Sequence, residues 1–341
     1  MTPMSTSDLR RWLRPVLLSA LAIAALASVT LGCGDREKTR VATARAKVGH
    51  ASIVRMDAST GRVKTVIPVG PDPLLLVSAG GHIWTLQFGD GKLARIDPQT
   101  NAVEKVDVGE GVGVASDGAD VWVAANGNSL VRLDGSTGRR KRVLKLAKRR
   151  LFALRDAGFL IADSGAIWVT IPVLGDNSAN QTLWRVDPRT GAVTARVPLL
   201  ANPVSLAGDR LRYLWVANID GGKITRVDVT TNKTKNFEAD IGPAGVAFGA
   251  GSLWVSHFVP EVWRINPKTS QVEAKIHVDD GTTRGIAFAD GKTWVTTETS
   301  VIAIDPATNQ IKRTTKLIER KRETGPTAIV FLDGDLWVSV E

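Results

Sequence analysis

Short apolar segments alternate with turns rich in glycine and aspartate throughout residues 48–341. In a representative stretch, Gly245-Val-Ala-Phe248 is followed by a short turn and then by Ser252-Leu-Trp-Val255. Apolar runs of this length, rich in β-branched and aromatic residues and bounded by turn residues, are typical of β-strands. The pattern therefore predicts an all-β chain.

A tryptophan with apolar neighbours recurs along this region at intervals of about forty residues, which indicates an internal repeat. Because one face of a small sheet cannot bury itself, the repeats are expected to stack and to enclose these side chains between them. The tryptophans are Trp84, Trp122, Trp168, Trp215, Trp254, Trp294 and Trp337.

A second motif recurs with the same period and starts with aspartate or asparagine. That side chain can accept hydrogen bonds from backbone N–H groups two residues on, and the fifth residue is mostly glycine or asparagine, which tolerate the left-handed conformation. The motif therefore predicts a hairpin turn between antiparallel strands. Its seven copies are Asp57–Gly61, Asp97–Asn101, Asp134–Gly138, Asp187–Gly191, Asp228–Asn232, Asn266–Ser270 and Asp305–Asn309.

Together the two motifs define a unit of four strands, which we name A to D: A precedes the tryptophan strand B, and the aspartate turn joins C to D. Seven such units predict a seven-bladed β-propeller over residues 48–341. The repeat region opens with a C–D hairpin, Ile53 to Val69, and ends with strands A and B, Ala328 to Val340. These halves are expected to pair and close the ring without an exposed edge, with the tryptophans and aspartate turns as scaffold.

The N-terminal residues are of a different kind. Arg10, Arg11 and Arg14 precede an apolar run over residues 16–32, and Cys33 follows at once. This arrangement is typical of a secretory signal, and the cysteine placement resembles a bacterial lipoprotein signal over residues 1–33. The alternative is an uncleaved membrane anchor with an incidental cysteine. Residues 34–47 are predicted to form a flexible tether, so the propeller is expected to work outside the cytoplasm, at the cell surface or in a periplasm.

The repeat motifs resemble those of a known group of bacterial extracytoplasmic propellers. Pro243-Ala-Gly-Val-Ala-Phe248 with Leu253-Trp-Val-Ser256 is similar to repeats of YncE-like (YVTN-repeat) proteins and of the streptogramin-lyase-like (virginiamycin B lyase) superfamily. The resemblance implies the propeller fold, and members of the group include a lyase and sensor domains. It also implies histidine and glutamate around magnesium in the lyases, whose strand A commonly starts with Pro-His-Gly. Here the corresponding residues include Pro243-Ala-Gly245 and Thr283-Arg-Gly285, without histidine.

His257 and Glu298 are the candidate catalytic pair, because both come just after the tryptophan of strand B in neighbouring blades. They suit a metal-dependent lyase or hydrolase, although they are first interpreted as surface loop residues and are too few to hold a divalent ion. The run Asp176 to Thr182 alternates oxygen donors as calcium loops do, but it lacks the turning glycine and terminal glutamate. No cofactor is therefore expected, and magnesium or calcium would be the ion if one bound. The single cysteine excludes an intramolecular disulfide framework.

The connections B–C and D–A share one face of a propeller, and polar residues near the ends of strand B are predicted to lie there. Such a mouth suits a small polar ligand or a peptide loop. The leading hypothesis is a non-enzymatic binding module, a monomer, whose partner is an envelope protein or a small polar ligand. The predicted ligand face comprises Gln87, Asn126, Asn218, Asp220, His257, Phe258 and Glu298, with loops 171–182, 147–157 and 318–326.

Charge adds a second alternative. The formal net charge is +10, and residues 139–150 hold a run of basic residues without an acidic one. The run suits a charged edge strand that resists aggregation, or an electrostatic patch for an anionic envelope polymer or nucleic acid. The absence of interleaved aromatic residues argues against nucleic acid. The basic residues are Arg139, Arg140, Lys141, Arg142, Lys145, Lys148, Arg149 and Arg150, and a smaller cluster comprises Lys316, Arg320, Lys321 and Arg322.

Overall fold

A computed structural model describes residues 41–43, 51–87, 91–151, 159–171, 181–200, 202–240, 242–319 and 325–341. The predicted signal with Cys33, most of the predicted tether, the greater part of loop 171–182 and residues 320–322 lie outside the described residues. Within these ranges every regular element is a β-strand.

Seven sheets, each of four antiparallel strands, form the blades of a propeller, which confirms the predicted fold. Blade 1 contains β4 (Pro73–Ala79), β5 (His82–Gln87), β6 (Lys92–Ile96) and β7 (Val103–Val106). Blade 2 contains β8 (Gly111–Ser116), β9 (Asp120–Ala125), β10 (Ser129–Asp134) and β11 (Arg140–Lys145). Blade 3 contains β12 (Leu160–Asp163), β13 (Ala166–Ile171), β14 (Thr182–Val186) and β15 (Val193–Pro198). Blade 4 contains β16 (Pro203–Gly208), β17 (Tyr213–Asn218), β18 (Lys223–Asp228) and β19 (Thr234–Glu238). Blade 5 contains β20 (Pro243–Gly249), β21 (Ser252–His257), β22 (Glu261–Ile265) and β23 (Val272–His277). Blade 6 contains β24 (Thr283–Ala289), β25 (Lys292–Thr297), β26 (Ser300–Asp305) and β27 (Gln310–Lys316).

Blade 7 joins the two ends of the repeat region. Its order is β28 (Pro326–Leu332), β29 (Asp335–Val340), β2 (Ser52–Asp57) and β3 (Val63–Pro68), and Ile53 pairs with Ser339 across the junction. The innermost strand of each blade contacts that of the next, β28 and β4 included, so the ring is closed as predicted. One further strand, β1 (Val41–Thr43), lies within the predicted tether and pairs in parallel with β27, so blade 6 has five strands.

The repeated tryptophans fill the spaces between blades, because strand B presents each indole to the neighbouring sheet. All seven are at most 1% exposed. The ring of Trp215 in blade 4 stacks on Phe248 of blade 5, with 5.2 Å between centroids and 5° between planes. Burial of such large apolar side chains is the main favourable contribution to folding.

The aspartate turns have the predicted geometry. The Asp97 carboxylate accepts hydrogen bonds from the backbone N–H groups of Gln99 (2.7 Å) and Thr100 (3.2 Å), and Asn101 closes the turn with a φ of +60°. These two hydrogen bonds favour the charged form and hold the pKa of Asp97 below its ordinary value.

A ring of arginines joins each blade to the next and was not predicted. In each of the seven blades, one guanidinium on strand C or D donates a hydrogen bond to a backbone carbonyl in the aspartate turn of the following blade. The pairs are Arg95 with Ser136, Arg142 with Arg189, Arg185 with Val229, Arg226 with Pro267, Arg264 with Pro306, Arg313 with Ala58 and Arg55 with Pro98. Because charge-assisted hydrogen bonds are stronger than neutral ones, these contacts stabilise the blade interfaces on the turn-bearing face.

Candidate functional site

The two faces of the propeller differ in what they carry. Strand B runs from the A–B turn to the B–C connection, so its C-terminal end lies on the face that also carries the D–A connections. We call this the loop face. The aspartate turns and the arginine ring lie on the opposite face.

Three of the predicted ligand-face residues are buried, which corrects the expectation that they line an open mouth. Gln87, Asn218 and His257 are each 0% exposed. A D–A connection covers Gln87 and His257, whereas the Asn218 amide donates to the carbonyl of Lys223 (3.2 Å) at the start of strand C. The Gln87 amide donates to the carbonyl of Val69 (2.5 Å), and Nε2 of His257 lies 2.9 Å from the carbonyl of Ala239. Buried backbone carbonyls need hydrogen-bond donors, and Gln87 and His257 each supply one to a carbonyl of the D–A connection that covers them.

The other predicted residues reach the surface to different extents. Asn126 is exposed but donates to the carbonyl of Val108 (3.3 Å), which is the same kind of contact as that of Gln87. Asp220 is exposed and accepts a hydrogen bond from Asn202 (2.5 Å). Phe258 and Glu298 are half-buried. The accessible part of the predicted face is therefore smaller than the sequence implies.

In the structure the side chains of His257 and Glu298 contact different groups. The His257 ring packs against Trp263, with 4.8 Å between centroids, and its Nδ1 has no hydrogen-bond partner. The Glu298 carboxylate instead accepts hydrogen bonds from the backbone N–H (3.2 Å) and hydroxyl (3.3 Å) of Thr282. In addition, the described ranges contain no group of three or more His, Cys, Asp or Glu side chains suited to a metal. These residues therefore do not fit the magnesium site that the family resemblance implies, and the reading of His257 as a surface loop residue is wrong.

The burial of His257 has a consequence for pH dependence. Burial disfavours the imidazolium and lowers the pKa of His257 below its ordinary value. The unfolded chain takes up a proton below about pH 6.5 that the folded chain resists, so this group contributes stability above that pH and the contribution declines on acidification.

We expect His257→Gln to remove the contribution of this residue to the slope of the free energy of unfolding against pH. The stability at neutral pH should be kept, because Gln87 makes the same contact in blade 1. One proton changes the slope by at most about 1.4 kcal/mol per pH unit. The check is the urea midpoint between pH 8 and pH 5, with His277→Gln, 67% exposed at its side chain, as the control. An unchanged slope in His257→Gln would contradict the assignment.

A concavity of about 400 Å³ lies on the loop face between blades 4 and 5 and was not predicted. Asp220 directly precedes the lining residues Gly221 and Gly222, and the N–H of Phe258 donates to the carbonyl of the lining residue Gly242 (2.8 Å), so both residues adjoin the lining. Its acidic groups are partly balanced, since Glu238 pairs with Lys223 (2.8 Å) and Asp240 lies 3.7 Å from Lys275. The lining residues are Ile219, Gly221, Gly222, Glu238, Asp240 and Gly242.

A glycine pair shapes this concavity. Gly222 has a φ of +57°, and a Cβ there would lie 2.0 Å from the carbonyl oxygen of Asp240. Only glycine therefore lets the B–C turn of blade 4 approach the D–A connection so closely. The Gly221-Gly222 dipeptide was the sequence signal for this site, since paired glycines mark unusual backbone positions.

The basic run lies where it was predicted, on the outermost strand of blade 2. Lys141 forms ion pairs with Asp120 (2.6 Å) and Asp134 (2.8 Å), so part of the run is neutralised within the blade. Arg139, Lys145, Lys148 and Arg149 are exposed, and their side chains have no hydrogen-bond or ion-pair partner in the part of the chain that the structure describes.

Comparison with known proteins identifies the fold. Neither a scan against protein-family models nor a search of curated protein sequences found a match. Among solved structures, streptogramin B lyase is similar with a TM-score of 0.62 and 17% identity, covering 85% of this chain and 95% of that one. The Cps50 (Swd1) β-propeller domain of Myceliophteria thermophila has a TM-score of 0.57 and 10% identity, covering 79% and 97%. Apo AztD from Citrobacter koseri has a TM-score of 0.54 and 14% identity, covering 79% and 96%.

At these identities the similarity concerns the fold, and the three proteins have different names and origins. Among the residues that the structure describes, no helix is long and apolar enough to cross a membrane. The chain is a seven-bladed β-propeller, as its repeat motifs indicated, and its fold is similar to that of streptogramin B lyase.

Proposed function

We propose that this protein is a non-enzymatic recognition module that binds an envelope protein or a small polar ligand on its loop face. The observation that carries the proposal is the concavity between blades 4 and 5, which combines acidic groups with Ile219 and has Phe258 next to its lining residue Gly242. Binding sites are typically concave and combine an apolar lining with a few polar groups that orient the ligand.

The opposite face is less suited to this role. Its aspartate turns accept hydrogen bonds from the arginines of neighbouring blades, as Pro267 does from Arg226 (2.8 Å). A partner bound there would compete with contacts that hold the ring together. The loop face has no comparable ring of inter-blade arginine contacts among the described residues, so binding there leaves the scaffold intact.

An enzymatic role is the weaker alternative. The family resemblance implies a metal-dependent lyase or hydrolase, and the candidate residues were His257 and Glu298. In the structure the histidine lies under a connection and the glutamate caps Thr282, so neither is arranged to exchange a proton with a shared substrate. This geometry is why we favour recognition over catalysis.

Display outside the cytoplasm is part of the proposal and is supported by the sequence of residues 1–33. If Cys33 carries a lipid, Cys33→Ala is expected to shift most of the protein from the membrane fraction to the soluble fraction after cell lysis. Retention of the variant in the membrane fraction would favour the alternative, an uncleaved apolar anchor.

The binding face is tested by capture from a detergent-solubilised envelope extract with the tagged full chain as bait. We expect Asp220→Arg/Phe258→Ala to reduce capture of a specific partner at least tenfold, because it changes the charge and removes the aromatic side chain beside the concavity. The matched control, Gln99→Arg/Ala307→Arg, adds the same charge on the opposite face, at turn positions where Arg189 and Lys268 occur naturally. Equal capture by both double variants would contradict the proposed face.

A further inference from the structure

The outer strand of blade 2, β11, leaves one edge of its sheet open. The sheet order is β11-β10-β9-β8, so within the described ranges only β10 pairs with β11. An edge strand has a row of backbone N–H and C=O groups without sheet partners. Val143, in the middle of this strand, is 48% exposed and is one of three large apolar side chains that are exposed among the described residues. The edge therefore presents both backbone groups and an apolar side chain.

Blade 6 shows how such an edge is used in this molecule. Its outer strand, β27, pairs in parallel with β1, with Val41 opposite Thr314 and Thr43 opposite Lys316. The outer edge of a blade is therefore compatible with an added extended segment. In blade 2 the corresponding edge has no such strand among the described residues.

Half of the basic residues around β11 serve the scaffold. Lys141 pairs with Asp120 and Asp134, and Arg150 pairs with Glu110 (2.7 Å). Arg140 donates to the carbonyl of Asp107 (3.0 Å), and Arg142 belongs to the arginine ring. Lys141 is therefore engaged within blade 2 and the other three side chains join blade 2 to its surroundings, so all four are poorly placed to bind a partner as well.

Four cations remain available: Arg139 lies at the turn-bearing end of β11, and the other three cluster at the opposite end of the edge. Lys145, Lys148 and Arg149 lie within five residues at the loop-face end of β11, and all three are exposed. None of these three side chains has a hydrogen-bond or ion-pair partner among the described residues. A ligand that follows β11 towards the loop face would therefore meet three unneutralised positive charges.

We propose that the edge of β11 binds an extended acidic segment of a partner protein as a fifth strand of blade 2. The backbone of the segment pairs with the open edge, an apolar side chain covers Val143, and carboxylates meet Lys145, Lys148 and Arg149. Strand addition of this type takes affinity from main-chain hydrogen bonds and specificity from alternate side chains. A flexible polyanion would use the charges but neither the backbone edge nor Val143. This surface is separate from the concavity of the proposed function.

The test uses the full chain and a peptide of glutamate residues with a single central valine. We expect the peptide to slow hydrogen exchange of the β11 amides at least tenfold. We also expect it to bind at least tenfold more tightly than the same peptide N-methylated at alternate residues, which cannot form a ladder. Heparin, as a polyanion, is expected to leave the exchange of β11 unchanged.

Charge is tested by variants that spare the scaffold. Lys145→Glu/Lys148→Glu/Arg149→Glu is expected to weaken peptide binding at least tenfold, with an unchanged melting temperature showing that blade 2 still folds. The control, Lys233→Glu/Lys235→Glu/Lys268→Glu, makes the same change of net charge elsewhere and should bind like the wild type. Equal binding of the two peptides, absence of protection in β11 or equal protection by heparin would overturn the proposal.

Discussion

Replacing Trp215 with alanine is expected to lower the free energy of unfolding by about 3–5 kcal/mol, the usual cost of removing a large buried aromatic side chain. Trp215 is fully buried and stacks on Phe248 of the next blade, so the substitution leaves a cavity at a blade interface. The check is urea unfolding followed by circular dichroism, with the shift of the midpoint compared among variants.

A phenylalanine series separates packing from hydrogen bonding. The indole N–H of Trp215 has no partner, whereas that of Trp254 donates to the carbonyl of Gly249 (3.2 Å). Trp215→Phe therefore removes only part of the buried side-chain volume. Trp254→Phe removes the same volume and also leaves the buried carbonyl of Gly249 without its hydrogen-bond donor. We expect Trp254→Phe to be the more destabilising by about 1 kcal/mol. Equal losses would show that this hydrogen bond contributes little, and a loss below 1 kcal/mol in Trp215→Ala would contradict the packing role.

The fold was predictable because its determinants are local and repeated. Each copy of the aspartate turn specifies a hairpin within five residues, and each tryptophan marks a strand with a fully buried face. The ring closure followed from the order of strands at the two ends of the repeat region. None of these inferences required knowledge of which side chains meet across the blade interfaces.

The ligand face was harder to predict, because burial at the end of strand B depends on the D–A connection that lies above it. Gln87 and His257 have the polar character of binding residues, but they serve the carbonyls of Val69 and Ala239. Sequence places both residues at the correct face and does not show the connection that covers them. The concavity depends likewise on the approach of two connections at Gly222.

The arginine ring had a visible signal, since arginine occurs two residues before the aspartate turn in six of its seven copies. In the remaining copy this position is Ala303, and Arg313, its partner on the adjacent strand, makes the contact instead. In blade 2, Arg132 binds Asp120, and its neighbour Arg142 takes over. Such replacements follow from strand register, which sequence spacing alone does not reveal.

Asp335→Asn is expected to loosen the closing blade. Asp335 is 1% exposed and binds Arg55 (2.6 Å) and Lys64 (2.5 Å), so it joins the C-terminal strand β29 to the N-terminal hairpin. Removing one partner of a fully buried pair costs about 3–5 kcal/mol. Because Lys64 is 44% exposed at its side chain, we expect a loss of about 2 kcal/mol and hydrogen exchange in β2 and β3 about 30-fold faster.

Blade 2 offers a matched control for this prediction. Asp120 is equally buried and binds Arg132 (2.5 Å) and Lys141 (2.6 Å), but all three residues belong to one continuous segment of the chain. Asp120→Asn therefore removes the same chemistry without touching the junction between the two ends of the repeat region. We expect it to lower global stability comparably and to accelerate exchange in β2 and β3 no more than in blades 4 and 5, whereas Asp335→Asn accelerates exchange most in β2 and β3. If Asp335→Asn accelerates exchange equally in all of these strands, the Asp335 contacts do not hold the ring closed, and closure depends on the backbone pairing of β2 with β29.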